Sequence, residues 1–187
     1  MKIVVLDRDG VINEDSPDYI KSAAEWQPIP GSLEAIARLH QAGYRVFVAS
    51  NQSGLNQQLF DYDAFSAMND KLQKQLAELG GRIDGMFFAP DHPDQPTVMR
   101  KPEPGMLLDL ARRLGVALDN VTVVGDSLRD IRSARAAGAR PVLVRTGNGR
   151  ETETKNASEL GGVRVFDSLA DYVSVLLTGG DQRPQTA

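Results

Sequence analysis

Short apolar runs alternate with longer amphipathic segments along most of this chain, and this alternation restricts the possible fold more than any other feature. Runs rich in branched aliphatic residues, such as residues 2–6, are typical of strands that are buried on both faces. The intervening segments, such as the one that Pro30 and Gly31 open, carry apolar residues at helical spacing. Strands that alternate with helices predict a mainly parallel sheet with helices on both faces, which is a three-layer, Rossmann-like α/β fold.

The same pattern predicts where the elements lie. We expect strands at residues 2–6, 44–49, 83–89, 121–124, 141–145 and 163–166. We expect helices at about residues 32–43, 61–79, 105–114, 128–137 and 168–177. The remaining polar stretches, and the segment 90–104 with its five prolines, are interpreted as connections and loops. Residues 1–178 would form one domain, and residues 179–187 a flexible tail.

The composition excludes several functional classes. The chain has no cysteine, so disulfides, thiolate metal ligands and thiol nucleophiles are all excluded. The net charge is −4, with acids and bases interspersed, which gives no electrostatic reason to expect nucleic acid or an anionic membrane as partner. No apolar run predicts a membrane span or a signal peptide, and no heptad repeat predicts an oligomer. We therefore expect a cytoplasmic monomer.

Polar residues follow four of the predicted strands, at the edge where parallel sheets bind ligands. These fragments are Asp7-Arg8-Asp9-Gly10, Ser50-Asn51-Gln52-Ser53-Gly54, Arg100-Lys101-Pro102, and Gly125-Asp126 with Asp130 one helical turn later. Each fragment alone is also typical of a turn or a helix cap. Their occurrence after four successive strands indicates a functional site.

Phosphoryl transfer is the chemistry that uses this combination of side chains. The carboxylate of Asp7 can attack phosphorus and form an aspartyl phosphate that water then hydrolyses. Residues two apart in an extended segment face the same side, so Asp9 could protonate the leaving alkoxide and later deprotonate the water. Asp7 and Asp126 would repel the substrate unless Mg²⁺ neutralised them. The Ser50 hydroxyl and the Lys101 ammonium would bind the remaining phosphoryl oxygens.

The four fragments resemble the ordered motifs of the haloacid dehalogenase superfamily, over roughly residues 1–178. The similarity is greatest to its branch of heptose bisphosphate and histidinol phosphatases, through the fragments Asp-Arg-Asp-Gly-x-Ile-Asn, Asn-Gln-Ser-Gly, Arg-Lys-Pro-x-Pro-Gly-Met and Val-Arg-Thr-Gly. This resemblance implies that Asp7 is the nucleophile, that Asp9 is the general acid and base, and that Ser50 and Lys101 stabilise the phosphoryl group. It implies that Mg²⁺ is held by Asp7, Asp126 and the backbone carbonyl of Asp9. The residues it places near the substrate are Asp15, Asp18, Ser50, Asn51, Gln52, Ser53, Arg100 and Lys101.

The substrate that the resemblance implies is a phosphorylated sugar, D-glycero-D-manno-heptose 1,7-bisphosphate, which would lose its 7-phosphate on the route to the lipopolysaccharide core. Arg100 and the fragment Val144–Gly147 favour this compound over histidinol phosphate, which is the alternative substrate. A catalytically silent phosphate-binding module is the alternative class, and the intact aspartates argue against it. The anomer at carbon 1 stays open. About forty residues separate the first two motifs, which predicts a minimal cap without an inserted domain and therefore an open site.

The chain departs from this branch in the loop before Arg100. Relatives often hold a structural zinc ion there with three cysteines and a histidine. The corresponding positions in this chain are Ala89, Asp91, Thr97 and Met99, and the histidine nearby is His92. Since a zinc site needs about four ligands, we expect no zinc.

Overall fold

The computed structural model describes residues 1–179 and contains a six-stranded sheet in which every pair of neighbouring strands is parallel. Its strands are β1 (Ile3–Leu6), β2 (Arg45–Asn51), β3 (Gly85–Ala89), β4 (Thr122–Gly125), β5 (Arg140–Val144) and β6 (Arg164–Phe166). Its helices are α1 (Ser32–Gln41), α2 (Ser53–Asn56), α3 (Tyr62–Glu78), α4 (Gly105–Leu114), α5 (Leu128–Ala136), α6 (Gly149–Lys155) and α7 (Leu169–Leu177), with a 3-10 turn at Ala157–Glu159. The spatial order of the strands is β3-β2-β1-β4-β5-β6. The predicted α/β fold is confirmed.

Two separate apolar cores cover the two faces of the sheet. Val4 and Leu6 of β1 contribute to the core that includes buried residues of α1, α3 and α7. Ile3 and Val5, which alternate with them, contribute to the second core, which includes buried residues of α4 and α5. Because successive side chains of a strand point to opposite faces, a wholly apolar β1 requires helices on both sides. The result is the predicted three-layer arrangement.

The position of β1 determines where the site lies along the edge of the sheet. Leu6, its last residue, is in register with Val48 of β2 and Val124 of β4. The chain leaves β1 toward β2 and β3 on one side and later continues through β4, β5 and β6 on the other. A crevice forms outside the carboxyl ends of the strands at such a switch point. The segments that follow β1, β2 and β4 therefore meet at one place.

Two helices lie in stretches that the sequence pattern assigns to connections, and this assignment is wrong there. They are α2, with four residues, and α6, with the sequence GRETETK. Neither carries an apolar stripe, which is why periodicity does not identify them. The other predicted elements are present, with ends that differ by one or two residues in most cases.

The connections around the site are short enough to leave it open. Within residues 1–179, the chain between β1 and β2 holds a loop and α1, and the chain between β3 and β4 holds a loop and α4. This agrees with the predicted minimal cap. None of the helices described in this range is long and apolar enough to cross a membrane. The predicted flexible tail lies outside the described residues, except for Gly179.

Candidate active site

A crevice of about 310 Å³ lies at the carboxyl edge of the sheet, next to the end of β1. It brings together most of the side chains that the sequence predicts for the site. Its lining includes Asp7, Asp9, Asp15, Ser50, Asn51, Gln52, Ser53, Arg100, Lys101 and Asp126. The fragments that follow separate strands therefore meet, as the parallel sheet predicts.

Lys101 occupies the floor of the crevice and makes two ion pairs. Its Nζ lies 3.0 Å from Asp7 Oδ1 and 2.5 Å from Asp130 Oδ1, and it donates to the carbonyl oxygen of Ala49 at 2.9 Å. The side chain is only 5% exposed. Burial alone would lower the pKa of Lys101, but the charges of Asp130 and Asp7 outweigh it and raise that pKa. Lys101 is therefore a fixed ammonium beside the predicted nucleophile.

The side chain of Asn51 positions this lysine through two hydrogen bonds to the lysine backbone. Its Nδ2 donates to the carbonyl oxygen of Lys101, and the Lys101 N–H donates to Asn51 Oδ1, both at 3.0 Å. The two residues are fifty positions apart in the chain. The last residue of β2 thus holds the proline-rich loop over the site. A direct contact between Asn51 and substrate stays a prediction.

Asp9 lies in a dense set of hydrogen bonds. Arg8 donates to it through Nε at 3.1 Å and Nη2 at 3.2 Å, and Asn13 Nδ2 donates to it at 2.8 Å. Gln52 Nε2 donates both to Asp9 Oδ2 at 2.8 Å and to Ser50 Oγ at 2.9 Å. Gln52 therefore links the predicted acid to the predicted phosphate-binding hydroxyl.

Asp126 is held between two glycine backbones. A Cβ atom on Gly10 or on Gly147 would lie 2.1 or 2.2 Å from Asp126 Oδ2, so neither position accepts a side chain. Both glycines have positive φ, at 79° and 54°. Thr146 Oγ1 donates to the Gly10 carbonyl oxygen at 2.6 Å, and Asn148 donates to Asp126 Oδ2 through N at 2.7 Å and Nδ2 at 3.1 Å. The loop after β5 thus fixes the carboxylate.

The fragment Val144–Gly147 has a structural role that the sequence does not reveal. Its Thr146 and Gly147 fix Gly10 and Asp126, as described above. Its arginine, in contrast, forms ion pairs with Glu153 and Asp167 and is not among the residues that line the crevice. The arginine of this fragment therefore provides no argument for a particular substrate.

Three carboxylates can supply oxygen ligands to a metal ion. Ligand atoms of Asp7, Asp126 and Asp130 all lie within 4.8 Å of one another. Burial, followed by repulsion from Asp130 and Asp126, raises the pKa of Asp7 to about 8, although Lys101 opposes this. Burial and repulsion from Asp130 also raise the pKa of Asp126 to about 7. The surroundings therefore do not compensate the negative charges of these two carboxylates when both are ionised, and the metal-free fold favours their neutral forms.

Asp130 differs from the other two carboxylates because both of its oxygens are engaged. Oδ1 pairs with Lys101, and Oδ2 accepts hydrogen bonds from N and Oγ of Ser127 at the start of α5. Burial would raise the pKa of Asp130, but Lys101 and these hydrogen bonds lower it. Asp7 and Asp126 are thus the pair left for a cation. Mg²⁺ prefers oxygen ligands and is usually held by one or two carboxylates plus phosphate, so the donor set fits it.

Mg²⁺ is expected to raise the unfolding temperature more at about pH 8 than at about pH 5.5. The pKa values of Asp7 and Asp126 are raised on folding, so the metal-free folded protein keeps protons that the unfolded chain releases. Its stability therefore falls as the pH rises toward 8, and a bound cation replaces these protons. Thermal unfolding at both pH values, with Mg²⁺ and with chelator, measures the difference. Equal shifts at both pH values would contradict a cation bound by these carboxylates.

Not all of the residues predicted to contact substrate line the crevice. Arg100 is buried, lines the crevice and donates from Nη1 to the Asp91 carbonyl oxygen at 3.1 Å. Asp15 lines the crevice and accepts a hydrogen bond from Asn148 Nδ2 at 3.0 Å. Asp18 is exposed and does not line it; its carbonyl oxygen accepts from Lys21 Nζ. The role of Asp18 in binding stays a prediction.

The lining also includes residues that the sequence does not predict for the site, among them Arg8, Tyr19, Arg129 and Asn148. Arg8 stands between the two motif aspartates, and a buried arginine in that place could have been recognised as the partner of one of them. Asn148 follows β5, whose carboxyl end lies at the same edge of the sheet as those of β1, β2 and β4. Asn148 could therefore have been predicted as a site residue, because it also follows the carboxyl end of a strand.

Hydrogen bonds organise the proline-rich loop before Arg100, which contains the four positions compared above with zinc ligands. Asp91 Oδ2 accepts from Thr97 Oγ1 at 2.6 Å and from the Thr97 N–H at 3.2 Å. Thr97 Oγ1 accepts in turn from the Met99 N–H at 3.1 Å. Hydrogen bonds thus connect three of those four positions, namely Asp91, Thr97 and Met99. The expectation that the chain binds no zinc stays a prediction.

A parallel α/β fold with an aspartate pair after its central strand, a buried lysine and a further acidic residue defines a phosphatase of the aspartyl-nucleophile class. A family model described as HAD-hydrolase-like matches residues 98–172. The D-glycero-β-D-manno-heptose 1,7-bisphosphate 7-phosphatase of Bordetella bronchiseptica is 49% identical and covers 95% of this chain and 98% of its own length. The protein of that name from Pseudomonas aeruginosa is 47% identical, and the match covers 94% of this chain and 97% of that protein.

A solved structure extends this similarity to the fold. The D,D-heptose 1,7-bisphosphate phosphatase of B. bronchiseptica, complexed with magnesium and phosphate, matches with a TM-score of 0.91 and 48% identity. The match covers 96% of this chain and 99% of that chain. The chain belongs to the haloacid dehalogenase-like phosphatases, in the family of these heptose bisphosphate phosphatases.

Proposed function

We propose that this chain is a Mg²⁺-dependent phosphatase that removes the 7-phosphate of D-glycero-β-D-manno-heptose 1,7-bisphosphate. The observation that carries the proposal is the complete reacting group of Asp7, Asp9, Lys101 and Asp126 in one crevice. Relatives that are 41–49% identical over nearly the whole chain carry this activity in their names. The product would supply heptose for the lipopolysaccharide core.

Each side chain of the site has a separate role in the reaction. Asp7 attacks phosphorus, a new bond forms from its carboxylate oxygen, and the bond to the sugar oxygen breaks. Asp9 gives its proton to that leaving oxygen and then takes a proton from the water that hydrolyses the aspartyl phosphate. Lys101 and Ser50 bind the phosphoryl oxygens as charge spreads over them. Asp7 and Asp126 would hold Mg²⁺. When bound, this ion would neutralise the negative charges of the two carboxylates and of the substrate phosphate.

Phosphate release from the heptose bisphosphate and from histidinol phosphate, each with Mg²⁺ and with excess chelator, tests the proposal. We expect Mg²⁺-dependent release from the heptose compound and much less from histidinol phosphate. The two anomers should be compared in the same assay, and we expect preference for the β form that the relatives' names specify. Release from histidinol phosphate alone would keep the chemistry and overturn the substrate.

Asp9→Asn distinguishes an enzyme from a silent binding module. This variant should fold and lose turnover, because an amide cannot supply or accept the proton that the reaction transfers. A wild-type protein that binds phosphate esters but hydrolyses none of them would support the silent module instead. The cytoplasmic location and the monomeric state stay predictions.

A further inference from the structure

Arg8 is a buried cation to which the reaction steps above give no role. The residue is only 1% exposed, and it stands between the two motif aspartates. Its Nε donates to Asp9 Oδ1 at 3.1 Å and its Nη2 donates to Asp9 Oδ2 at 3.2 Å, so the guanidinium fork meets both oxygens of the next residue. A buried cation is costly unless it is paired and hydrogen-bonded, and this fork on Asp9 supplies the pairing.

The backbone after β1 turns so that these two neighbours can meet. Successive side chains of an extended segment point to opposite sides, which would direct Arg8 and Asp9 apart. The carbonyl oxygen of Arg8 accepts hydrogen bonds from the N–H groups of Ile12 at 2.8 Å and of Asn13 at 3.1 Å. The turn that carries Asp9 is therefore closed on the backbone of Arg8.

Two further contacts fix the guanidinium of Arg8. Its Nη2 also donates to Gln52 Oε1 at 3.1 Å, and its Cζ lies 5.4 Å from the centroid of the Phe65 ring, which is a cation–π contact. The Nη1 atom, in contrast, is buried and has no hydrogen-bond partner within residues 1–179. An unpaired buried donor costs free energy. The guanidinium is thus placed to contact Asp9 at the expense of one of its own donors.

The carboxylate of Asp9 has no acceptor position to spare. It offers about four such positions, and Arg8 occupies two of them. Asn13 Nδ2 donates to Oδ1 and Gln52 Nε2 donates to Oδ2, each at 2.8 Å. The leaving oxygen of a substrate must come within hydrogen-bond distance of Asp9, so it must replace one of these donors. Gln52 lines the crevice, whereas Asn13 is wholly buried, and a neutral amide is replaced more easily than a guanidinium.

We propose that Arg8 is a positioning residue for the proton transfer: its fork holds the Asp9 carboxylate in a fixed direction while the leaving oxygen takes the place of the Gln52 amide. This role rests on the proposed function, in which Asp9 protonates the leaving oxygen. Arg8 acts through Asp9 and not on the phosphoryl oxygens, which Lys101 and Ser50 bind. A misdirected Asp9 would therefore lose proton transfer, which contributes roughly a hundred- to ten-thousand-fold to a rate.

Arg8→Lys tests this role, because lysine keeps the buried charge and loses the fork. Two phosphate esters distinguish the positioning of Asp9 from a general structural effect. The alkoxide that leaves a sugar phosphate needs a proton, whereas the nitrophenolate that leaves p-nitrophenyl phosphate is stable without one. We expect the first-turnover rate to fall by roughly 10- to 100-fold on the heptose bisphosphate and by less than about threefold on p-nitrophenyl phosphate.

Later turnovers of p-nitrophenyl phosphate give a second signature. Asp9 also deprotonates the water that hydrolyses the aspartyl phosphate, and this step is common to both esters. Arg8→Lys should therefore release nitrophenolate in a rapid burst, followed by slow release as the aspartyl phosphate is hydrolysed. Absorbance after rapid mixing measures both phases. The burst amplitude counts folded sites, so partial misfolding lowers this amplitude and leaves the ratio of the rates on the two esters unchanged.

Two other variants separate the role of Arg8 from that of any stacked arginine. Phe65→Leu removes the ring beside the Arg8 guanidinium and keeps every charge, so it should give the same pattern at a smaller size. Arg45→Lys is the matched control. Arg45 also lies over a phenylalanine, with its Cζ 4.9 Å from the Phe47 ring centroid, and pairs with Asp84 at 3.7 Å, but it begins β2 at the end away from the site. It should leave both esters unaffected.

Equal losses on the two esters by Arg8→Lys, or an unchanged first-turnover rate on the heptose bisphosphate, would overturn the positioning role and leave the proposed function intact. Failure of the wild-type protein to hydrolyse the heptose bisphosphate would overturn the proposed substrate. The sugar phosphate that it does hydrolyse would then take the place of the heptose compound, and the same ratio of rates would decide the role of Arg8.

Discussion

Asp7→Asn is expected to reduce kcat by roughly a million-fold, a loss of the size seen when a covalent nucleophile is removed. The amide has nearly the same shape as the carboxylate but cannot attack phosphorus. The ion pair of Lys101 with Asp130 would remain, so the floor of the crevice should keep its arrangement. Phosphate release with saturating substrate and Mg²⁺ measures the loss.

The same variant should be at least as stable as the wild-type protein near pH 8 without metal. Burial and neighbouring carboxylates raise the pKa of Asp7 to about 8, so the folded state favours the neutral form of this side chain, which an amide imitates. Activity and stability should thus change in opposite directions. Asp109→Asn makes the same chemical change on α4, where Asp109 pairs with Arg112 and Arg113, and it should leave kcat unchanged. Retention of a tenth or more of the wild-type kcat by Asp7→Asn would exclude Asp7 as the nucleophile.

Lys101→Met is expected to remove most activity and to destabilise the metal-free protein by about 3–5 kcal/mol near pH 8, the usual effect of breaking a buried ion pair on one side. Without the ammonium, the buried carboxylates of Asp7 and Asp130 lose their compensating charge. The phosphoryl group also loses a cation that stabilises its developing charge, which adds to the loss in kcat. Urea unfolding without metal measures the first effect, and phosphate release measures the second.

The pH dependence of this destabilisation identifies its cause. Protonation of the carboxylates at about pH 5.5 should recover part of the lost stability, because neutral groups need no counterion. A loss of packing would instead be the same at both pH values. Lys155→Met removes a lysine from an exposed pair with Glu151 and should have little effect at either pH. A free energy of unfolding that falls equally at both pH values would contradict a charge-compensating role for Lys101.

Much of the site could be predicted because it follows from strand ends. Asp7, Ser50, Lys101 and Asp126 each belong to a segment that follows a predicted strand, and a parallel sheet brings such segments to one edge. The residues that position them could not be predicted in the same way. Asn148 is twenty-two positions from Asp126, the carboxylate it binds, and no local pattern joins the two.

Helix α6 shows the same limit for the fold. Its sequence is polar, so it has no periodicity from which a helix could be predicted. It begins at Gly149, where a Cβ atom would lie 1.7 Å from the carbonyl oxygen of Val144 in β5. This close approach to the end of a strand depends on the folded chain, whereas α1 and α3 could be predicted from their own apolar stripes.

The sequence by itself determined the order of strands and helices and the kind of chemistry, since apolar periodicity and the types of residue after each strand are local properties. The tertiary structure alone decided how charge is divided in the site. It assigned Asp130 to Lys101, left Asp7 and Asp126 for a cation, and placed Arg129 near Arg100. Pairing and pKa depend on distances and burial, and both are set only when segments far apart in the chain pack together.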